Sequence, residues 1–433
     1  MPSVDRSRWA TWTQRFQGLW RHSDFMKLWT GQTVSEFGSN ITRDGLGLAA
    51  LLNLNATPTQ MGFLTAMGAV PVLLLGLFAG VWVDRLRRRP LLIVADLARA
   101  AVLFTIPLAA LAGVLSMAQL YVVVAVAGAF TVLFEAAYRA YLPGLVTREQ
   151  LVEANSKLAM SGSLAEVAGT GLAGILVQLV TAPLAILLDS LSFVFSAFCL
   201  GRIRQPESMP VAPAHPNVLR EAMAGVRMLL ADPILRPLAL SAGIRSFFGS
   251  FIGVLYGLYA IRDLGLTPAL LGITIATGGI GSLLGSVVAE RVTRRLGVGR
   301  TLVWTSLVGT ATTLMIPLAG SVSFGLSLTI LLLAQLFGDV LWTISAISDV
   351  SLRQAVTPGH LLGRTSASLQ LLVAGIGPFG AVIGGILGTS IGAQATLVIA
   401  ALGGGLLGTL VLVLSPVRRV SDLPDTHDVA GEF

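Results

Sequence analysis

Most charged side chains in this sequence lie between its long apolar stretches, and the few that stand inside them are the ones equipped for proton or charge chemistry. Arg43 and Asp44 are adjacent, with Glu36 upstream in the same stretch, while Glu166, Asp189, Arg245 and Asp339 stand among apolar neighbours. An ionised group among lipid tails costs on the order of 3 kcal/mol, so such groups turn toward partners or a water-filled path. A carboxyl there holds a proton while buried and unpaired, and releases it when water or an arginine reaches it. Asp44 is the leading candidate for such a proton-coupling group, Glu36 is its main rival, and Glu166 and Asp339 follow. Each also has a purely structural reading as a local pair or a hydrogen-bonded group. Adjacent helical residues point about 100° apart, so Arg43 and Asp44 cannot both aim into one space. Arg245 suits an anion anchor or the partner of a buried carboxylate equally well. Asp189, beside Ser190 and Ser192, reads as structural, and Glu135 with Arg139, four apart, reads as a local helical pair.

Other chemistries lack their residues. No lysine-bearing phosphate loop is present, and His22, His215, His360 and His427 all lie outside the apolar stretches. Cys199 is the only cysteine, which excludes an intramolecular disulfide framework and a cysteine-based zinc site. No metal and no cofactor is expected, nor an enzyme.

These groups must be positioned by helices in a membrane. The chain is 433 residues long, 54% hydrophobic and only 12% charged, with mean hydropathy +0.80. Soluble domains carry about 25% charged residues. A span needs roughly 20 mostly apolar residues, and twelve such stretches are predicted: 25–52, 58–84, 90–112, 117–141, 155–181, 182–202, 233–262, 267–293, 299–319, 323–349, 363–389 and 391–414. The organisation is then a segment 1–24 on one side of the membrane, a six-helix half 25–202, a linker 203–232, a second six-helix half 233–414 and a disordered tail 415–433. The linker carries Pro206, Pro210, Pro213 and Pro216, then a short surface helix near Leu219–Leu230. Trp9, Trp12, Phe16, Leu19 and Trp20, with Arg8 and Arg15, predict an interfacial helix over 8–22. No cleavable signal peptide is visible.

The formal net charge of +7 is topological. Arginines and lysines gather before the first stretch, after the second, fourth, sixth, eighth, tenth and twelfth, and almost nowhere else, Arg262 excepted. Positive residues mark the cytoplasmic side. Both termini therefore lie in the cytoplasm of a multi-pass protein of the cytoplasmic membrane, and nucleic acid is not an expected partner.

A shift of 210 residues superposes the halves: Thr57-Pro58 on Thr267-Pro268, Gly62 on Gly272, Val146-Thr147 on Val356-Thr357, Ser156 on Ser366. Two parallel halves of this kind are a transporter architecture with a site near the midplane. Asp349 falls at the repeat position of Arg139, so the two are placed to bridge the halves.

The residues after the second span, Gly80-Val81-Trp82-Val83-Asp84-Arg85-Leu86-Arg87-Arg88-Arg89, resemble the signature loop of the major facilitator superfamily, except that Arg87 stands where a second glycine is usual. A weaker copy runs from Gly285 to Glu290-Arg291 and Arg294-Arg295. Phe134 to Pro143, Ala154-Asn155-Ser156-Lys157, Asp189 to Phe193 and Leu362-Gly363-Arg364 resemble a bacterial efflux branch of twelve-helix drug:proton antiporters and macrolide and enterobactin exporters. Glycines in spans five and eleven resemble its exporter motif, with Thr170 where a proline is common.

The resemblance implies an all-α membrane protein with twelve transmembrane helices in two pseudo-symmetric halves, acting as a monomer among membrane lipids. It implies secondary active export of amphipathic small organic molecules by alternating access, in exchange for protons. A dedicated exporter of one metabolite such as a siderophore, or a lysophospholipid flippase, is the second reading; a non-transporting receptor or scaffold is the third. Conformational gating falls on Gly80, Asp84, Arg85, Arg88, Glu135, Arg139, Glu290, Arg291, Asp349 and Arg364. The cavity candidates are Arg43, Phe37, Arg245, Phe248, Phe337 and Trp342.

Overall fold

The computed structural model describes residues 18–83, 85–207, 218–359 and 361–421. Among them no strand is present. The first half comprises α1 (Ser23–Asn53), α2 (Pro58–Val83), α3 (Arg88–Leu111), α4 (Met117–Leu145), α5 (Leu151–Val180) and α6 (Ala182–Gly201). A surface helix, α7 (Val218–Ala231), precedes the second half of α8 (Leu235–Arg262), α9 (Pro268–Leu296), α10 (Val298–Leu318), α11 (Phe324–Val356), α12 (Leu362–Ser390), α13 (Ala393–Leu402) and α14 (Gly408–Leu414). The expected twelve-span bundle is present, with α13 and α14 forming one span.

Eleven of these spans are long and apolar enough to cross a membrane by length and composition. The exception is α1, which carries Asp24, Lys27, Glu36, Arg43 and Asp44. It packs along α5 and α6, so protein rather than lipid meets much of its polar surface.

Short connections at one end of the bundle are set by local chemistry. Thr57 and Gln60 cap reciprocally, Gln60 Oε1 accepting from Thr57 N at 2.8 Å and Thr57 Oγ1 from Gln60 N at 3.3 Å. At the repeat position, the Thr267 hydroxyl accepts from Leu270 N and Pro268 opens α9, where a missing N–H costs nothing. The opposite end carries the α6–α7 linker and most of the arginines; it is the basic end, and the other the far end.

Two helices run on well past the expected boundaries at the basic end, α4 to Leu145 and α11 to Val356. α11 has 33 residues, about 50 Å at 1.5 Å per residue, against a hydrocarbon core of about 30 Å. The excess stands outside the apolar layer, where Arg353 pairs with Asp349 at 2.8 Å. The last span is interrupted by a π-helical turn, Gly403–Leu407. Phe248 lies against Gly403 and Gly404, and Thr310 against Gly405, so side chains at these positions would collide.

Both halves use the same pairings. The first helix of each packs on its fifth and sixth, the second on the fourth, and the third on the fourth and sixth. The halves meet chiefly through α2 against α12 and α5 against α9. The principal far-end apolar cluster contains residues of both halves, including Leu48, Leu51, Leu103, Leu255, Leu258 and Leu271. Toward the basic end the apolar cores separate: one, around Phe25, Leu92 and Leu145, belongs to the first half, and another, around Leu235, Leu302 and Leu352, to the second. Among the described residues the bundle is therefore clasped at the far end and parted at the basic end.

Candidate functional site

The clasp is made of backbone and small side chains. Gly174 of α5 meets the Pro268 carbonyl and Gly272 of α9, while Gly62 of α2 meets the Ala381 carbonyl and Gly385 of α12. Hydrogen bonds flank both contacts: Thr59 to Thr389 at 2.8 Å between hydroxyls, and Ala269 N to Gln178 Oε1 at 3.1 Å. Gly62 and Gly272 are the repeat partners noted above, so the two contacts are related by the internal symmetry.

Behind the clasp lies a cavity of 620 Å³ between the halves. Drug-sized ligands occupy about 300–1,000 Å³. The walls are mainly apolar, with Leu51 and Met61 from one half and Ile252 and Leu271 from the other; Arg43, Asp44, Thr65, Thr170, Tyr256 and Gln335 are the side chains that add polarity and charge. Asp44 is half-buried and its Oδ2 has no hydrogen-bond partner; Thr170 and Arg43 are its neighbours. Arg43 donates to Asn40 Oδ1 and also lines a second recess of 540 Å³ within the first half.

Arg99 and Asp189 border that recess and belong to a buried charge cluster. Asp96 and Arg99 form an ion pair on α3, 0% and 5% exposed. The Arg99 guanidinium lies 4.3 Å from the Phe134 ring centre and 4.1 Å from that of Phe193, with Asp189 and Glu36 as its next charged neighbours. Asp189 is buried, with Ser192 donating to its Oδ1 at 2.9 Å, while Oδ2 of both Asp96 and Asp189 has no partner. The guanidinium thus pairs with Asp96, while Asp189 and Glu36 lie close enough to feel its charge. Sequence reasoning passed over Asp96 and Arg99, although both stand well inside the span expected at 90–112. The signal was there: opposite charges three residues apart on one helical face, in an otherwise apolar run.

The second half holds a smaller recess of 290 Å³, which Arg245, Asp339, Trp342 and Ser345 line. Gln335 donates to Asp339 at 2.6 Å, and Arg245 reaches Ser345 Oγ at 3.5 Å. Gln335 borders both this recess and the central cavity.

The remaining candidates are dispersed. Glu36 accepts from Gln32 at 3.0 Å. Glu166 is exposed and lies outside these three spaces. Phe37 is half-buried, with its carbonyl against Gly169. Phe248 packs on the π-helical turn and Phe337 is 53% exposed, both away from the central cavity. Of the gating set, Asp84 and much of the expected 8–22 helix lie outside the described residues; Leu19–Arg21 form a short 3₁₀ turn. Gly80 is in the last turns of α2 and Arg85 is exposed beyond them. Arg88 opens α3, its N–H donating to Glu207 at 2.6 Å. Glu290 pairs with Arg294 at 3.7 Å, and Arg291 reaches the Val287 carbonyl at 3.4 Å. The Arg364 carbonyl packs against Gly225 of α7. Arg139 pairs with Glu135 at 3.7 Å and Asp349 with Arg353, so each is held within its own half in this state.

Two repeated six-helix halves around a cavity, joined at one end and parted at the other, define a membrane transporter. The family described as transmembrane secretion effector matches residues 17–428. The chain belongs to that family, within the major facilitator superfamily. It is 26% identical over 432 residues to the uncharacterised MFS-type transporter y4rN of Sinorhizobium fredii, covering 96% of this chain and 98% of that one. It is 25% identical to the multidrug efflux pump Tap of Mycolicibacterium fortuitum, covering 86% and 90%. Among solved structures, a bacterial homologue of the iron transporter ferroportin in its inward-facing state superposes with TM-score 0.73 at 20% identity, covering 92% and 99%. The outward-facing state of that homologue gives 0.54.

Proposed function

We propose that this protein exports amphipathic small organic molecules, drugs or natural products, by alternating access, driven by proton entry. The observation that carries the reading is the central cavity: 620 Å³, mainly apolar, with one carboxyl and one guanidinium in its wall. An apolar wall with few charges suits varied cargo by shape and hydrophobic burial. The efflux activity of the Mycolicibacterium relative supports the direction.

The basic end is the cytoplasmic end, by the placement of arginines. The state described is then inward-open, which the better fit to the inward-facing neighbour supports. Asp44, with an unpartnered oxygen at the cavity wall, takes the proton while the cavity faces outward and releases it when the cavity opens to the cytoplasm, with Arg43 and Thr170 favouring release. The α2–α3 corner from Gly80 to Arg88, and Glu290 and Arg291 near the end of α9, set the balance between states, and Arg139 and Asp349 meet across the cytoplasmic end when it closes.

The reading is tested by thermal-shift screening of a chemical library on the purified protein, followed by counterflow of the hits in proteoliposomes. Several structurally unrelated amphiphiles are expected to stabilise and to exchange. A single hit would make the protein a dedicated exporter. Stabilisation with no counterflow would remove transport of those compounds.

A further inference from the structure

The expected disordered tail 415–433 is ordered over its first residues, 415–421, because they fold back on the bundle; the rest lies outside the described residues. The turn Pro416–Arg419 docks on the α9–α10 corner, where Val298 N donates to Ser421 O at 3.2 Å and Gly299 N to Val420 O at 2.9 Å. Val417 and Val298 are buried there, and Gly299 must be glycine because a Cβ would strike the Val417 carbonyl. Docking encloses a recess of 750 Å³ whose wall carries Arg294, Arg295, Arg300, Arg418 and Arg419. All five are exposed. Among the described residues, the acidic side chain in an ion pair with this set is Glu290, 3.7 Å from Arg294.

The internal repeat shows what such a corner requires. At the equivalent α2–α3 corner, the chain leaving α6 delivers Glu207, whose carboxylate accepts from Arg88 N at 2.6 Å and Arg89 N at 3.1 Å. Glu207 lies 210 residues before Val417, the same shift that relates the halves. The first half thus brings its own anion to the corner. In the second half the corresponding segment brings Arg418 and Arg419, and the α10 N–H groups are taken by backbone carbonyls.

We propose that this corner binds the phosphate of an anionic phospholipid from the adjoining leaflet. The same recess is lined by Trp304, 55% exposed, and by Leu296, Val303 and Val413. Tryptophan suits the level of lipid head groups, and the apolar side chains flank the first carbons of an acyl chain. A free phosphate has no use for that wall. Guanidinium forks match phosphate oxygens bidentately, and each basic group near an anionic surface contributes on the order of a five-fold gain in binding. The site is independent of the cargo proposed above.

The test uses the full chain in phosphatidylcholine nanodiscs, titrated with phosphatidylglycerol and read by native mass spectrometry of retained lipid. Phosphatidylglycerol is expected to be retained over phosphatidylcholine. The Arg300→Gln/Arg418→Gln/Arg419→Gln variant should weaken retention on the order of a hundredfold, while the matching lysine variant recovers much of it and controls for folding. Inorganic phosphate at the same concentration should not compete. Equal retention of the two lipids, or unchanged retention in the glutamine variant, would overturn the proposal. Full competition by inorganic phosphate would also overturn it, making this a free-anion site. The tail beyond Ser421 contains Asp422, Asp425, Asp428 and Glu432. Removing residues 422–433 should leave retention unchanged; a tenfold rise would assign the recess to the tail instead.

Discussion

Replacing Gly174 with alanine should tilt the protein away from the conformation described here. A Cβ at that position meets Gly272 Cα and N at 3.0 Å and the Pro268 carbonyl closer still. These are backbone atoms, so no side chain can swing away. Carbon atoms prefer about 3.5–4.0 Å, so α5 and α9 must part by roughly 0.5–1 Å. Overpacking of this kind costs about 1–3 kcal/mol. The strain falls only on the state in which the far end is clasped, so the inward-to-outward ratio should fall by roughly 5- to 150-fold at 1.4 kcal/mol per factor of ten. Gly62→Ala, the symmetric change against Ala381 and Gly385, should act in the same sense. The assay is pulsed electron resonance between spin labels on the α4 and α11 ends at the basic side, where the distance should shorten in both variants. An unchanged distribution, or a shift to longer distance, would refute the assignment of these glycines to the clasp.

Three further outcomes follow from the charges. Arg99→Met leaves Asp96 and Asp189 buried without their cation, and breaking such a pair costs about 3–5 kcal/mol. The melting temperature should drop by several degrees and be partly restored by adding Asp96→Asn; no drop would show the pair to be dispensable. Cysteines at Arg139 and Asp349 should form a disulfide poorly in the unaltered background and readily with Gly174→Ala; equal cross-linking in both would remove these residues from closure of the basic end. Gly299→Val should displace the docked turn Pro416–Arg419, seen as faster proteolysis after Val420; unchanged cleavage would contradict the docking.

The bundle was legible because lipid imposes its rules residue by residue. Each span must satisfy its own backbone hydrogen bonds, so hydropathy located eleven of the spans outright, α1 being the polar exception, and the Thr-Pro pairs at a constant shift exposed the repeat. Span ends were less legible at the basic side: the pattern fades at Tyr141 and Asp349, but the helices continue to Leu145 and Val356, because polar helix is stable once it leaves the lipid. The site was read unevenly. Asp44 and Arg43 both line the central cavity, against the expectation that adjacent helical residues could not share one space; the cavity is wide enough to meet two helix faces, and Arg43 also borders the recess beside it. Phe248 and Phe337 do not line the central cavity, because an aromatic ring is as comfortable against a glycine turn or lipid as in a cavity. Asp96 and Arg99 went unread although they lie well inside α3, since the sequence does not show that this face of the helix is covered by protein. Only the packing of α6 and α4 over α3 buries it. The lipid corner was invisible for a different reason: it depends on where the chain after Leu414 folds back.

The most direct test of proton-coupled export is the movement of protons driven by cargo alone. Proteoliposomes holding a confirmed substrate inside, with a trapped pH dye and no initial pH difference, are diluted into substrate-free buffer. Substrate efflux should draw protons inward and acidify the lumen. The Asp44→Asn protein should give no acidification while still catalysing counterflow, which needs no net proton movement. Substrate efflux from the unaltered protein with no pH change would contradict proton coupling. Acidification that persists in Asp44→Asn but vanishes in Glu36→Gln would contradict the role given to Asp44.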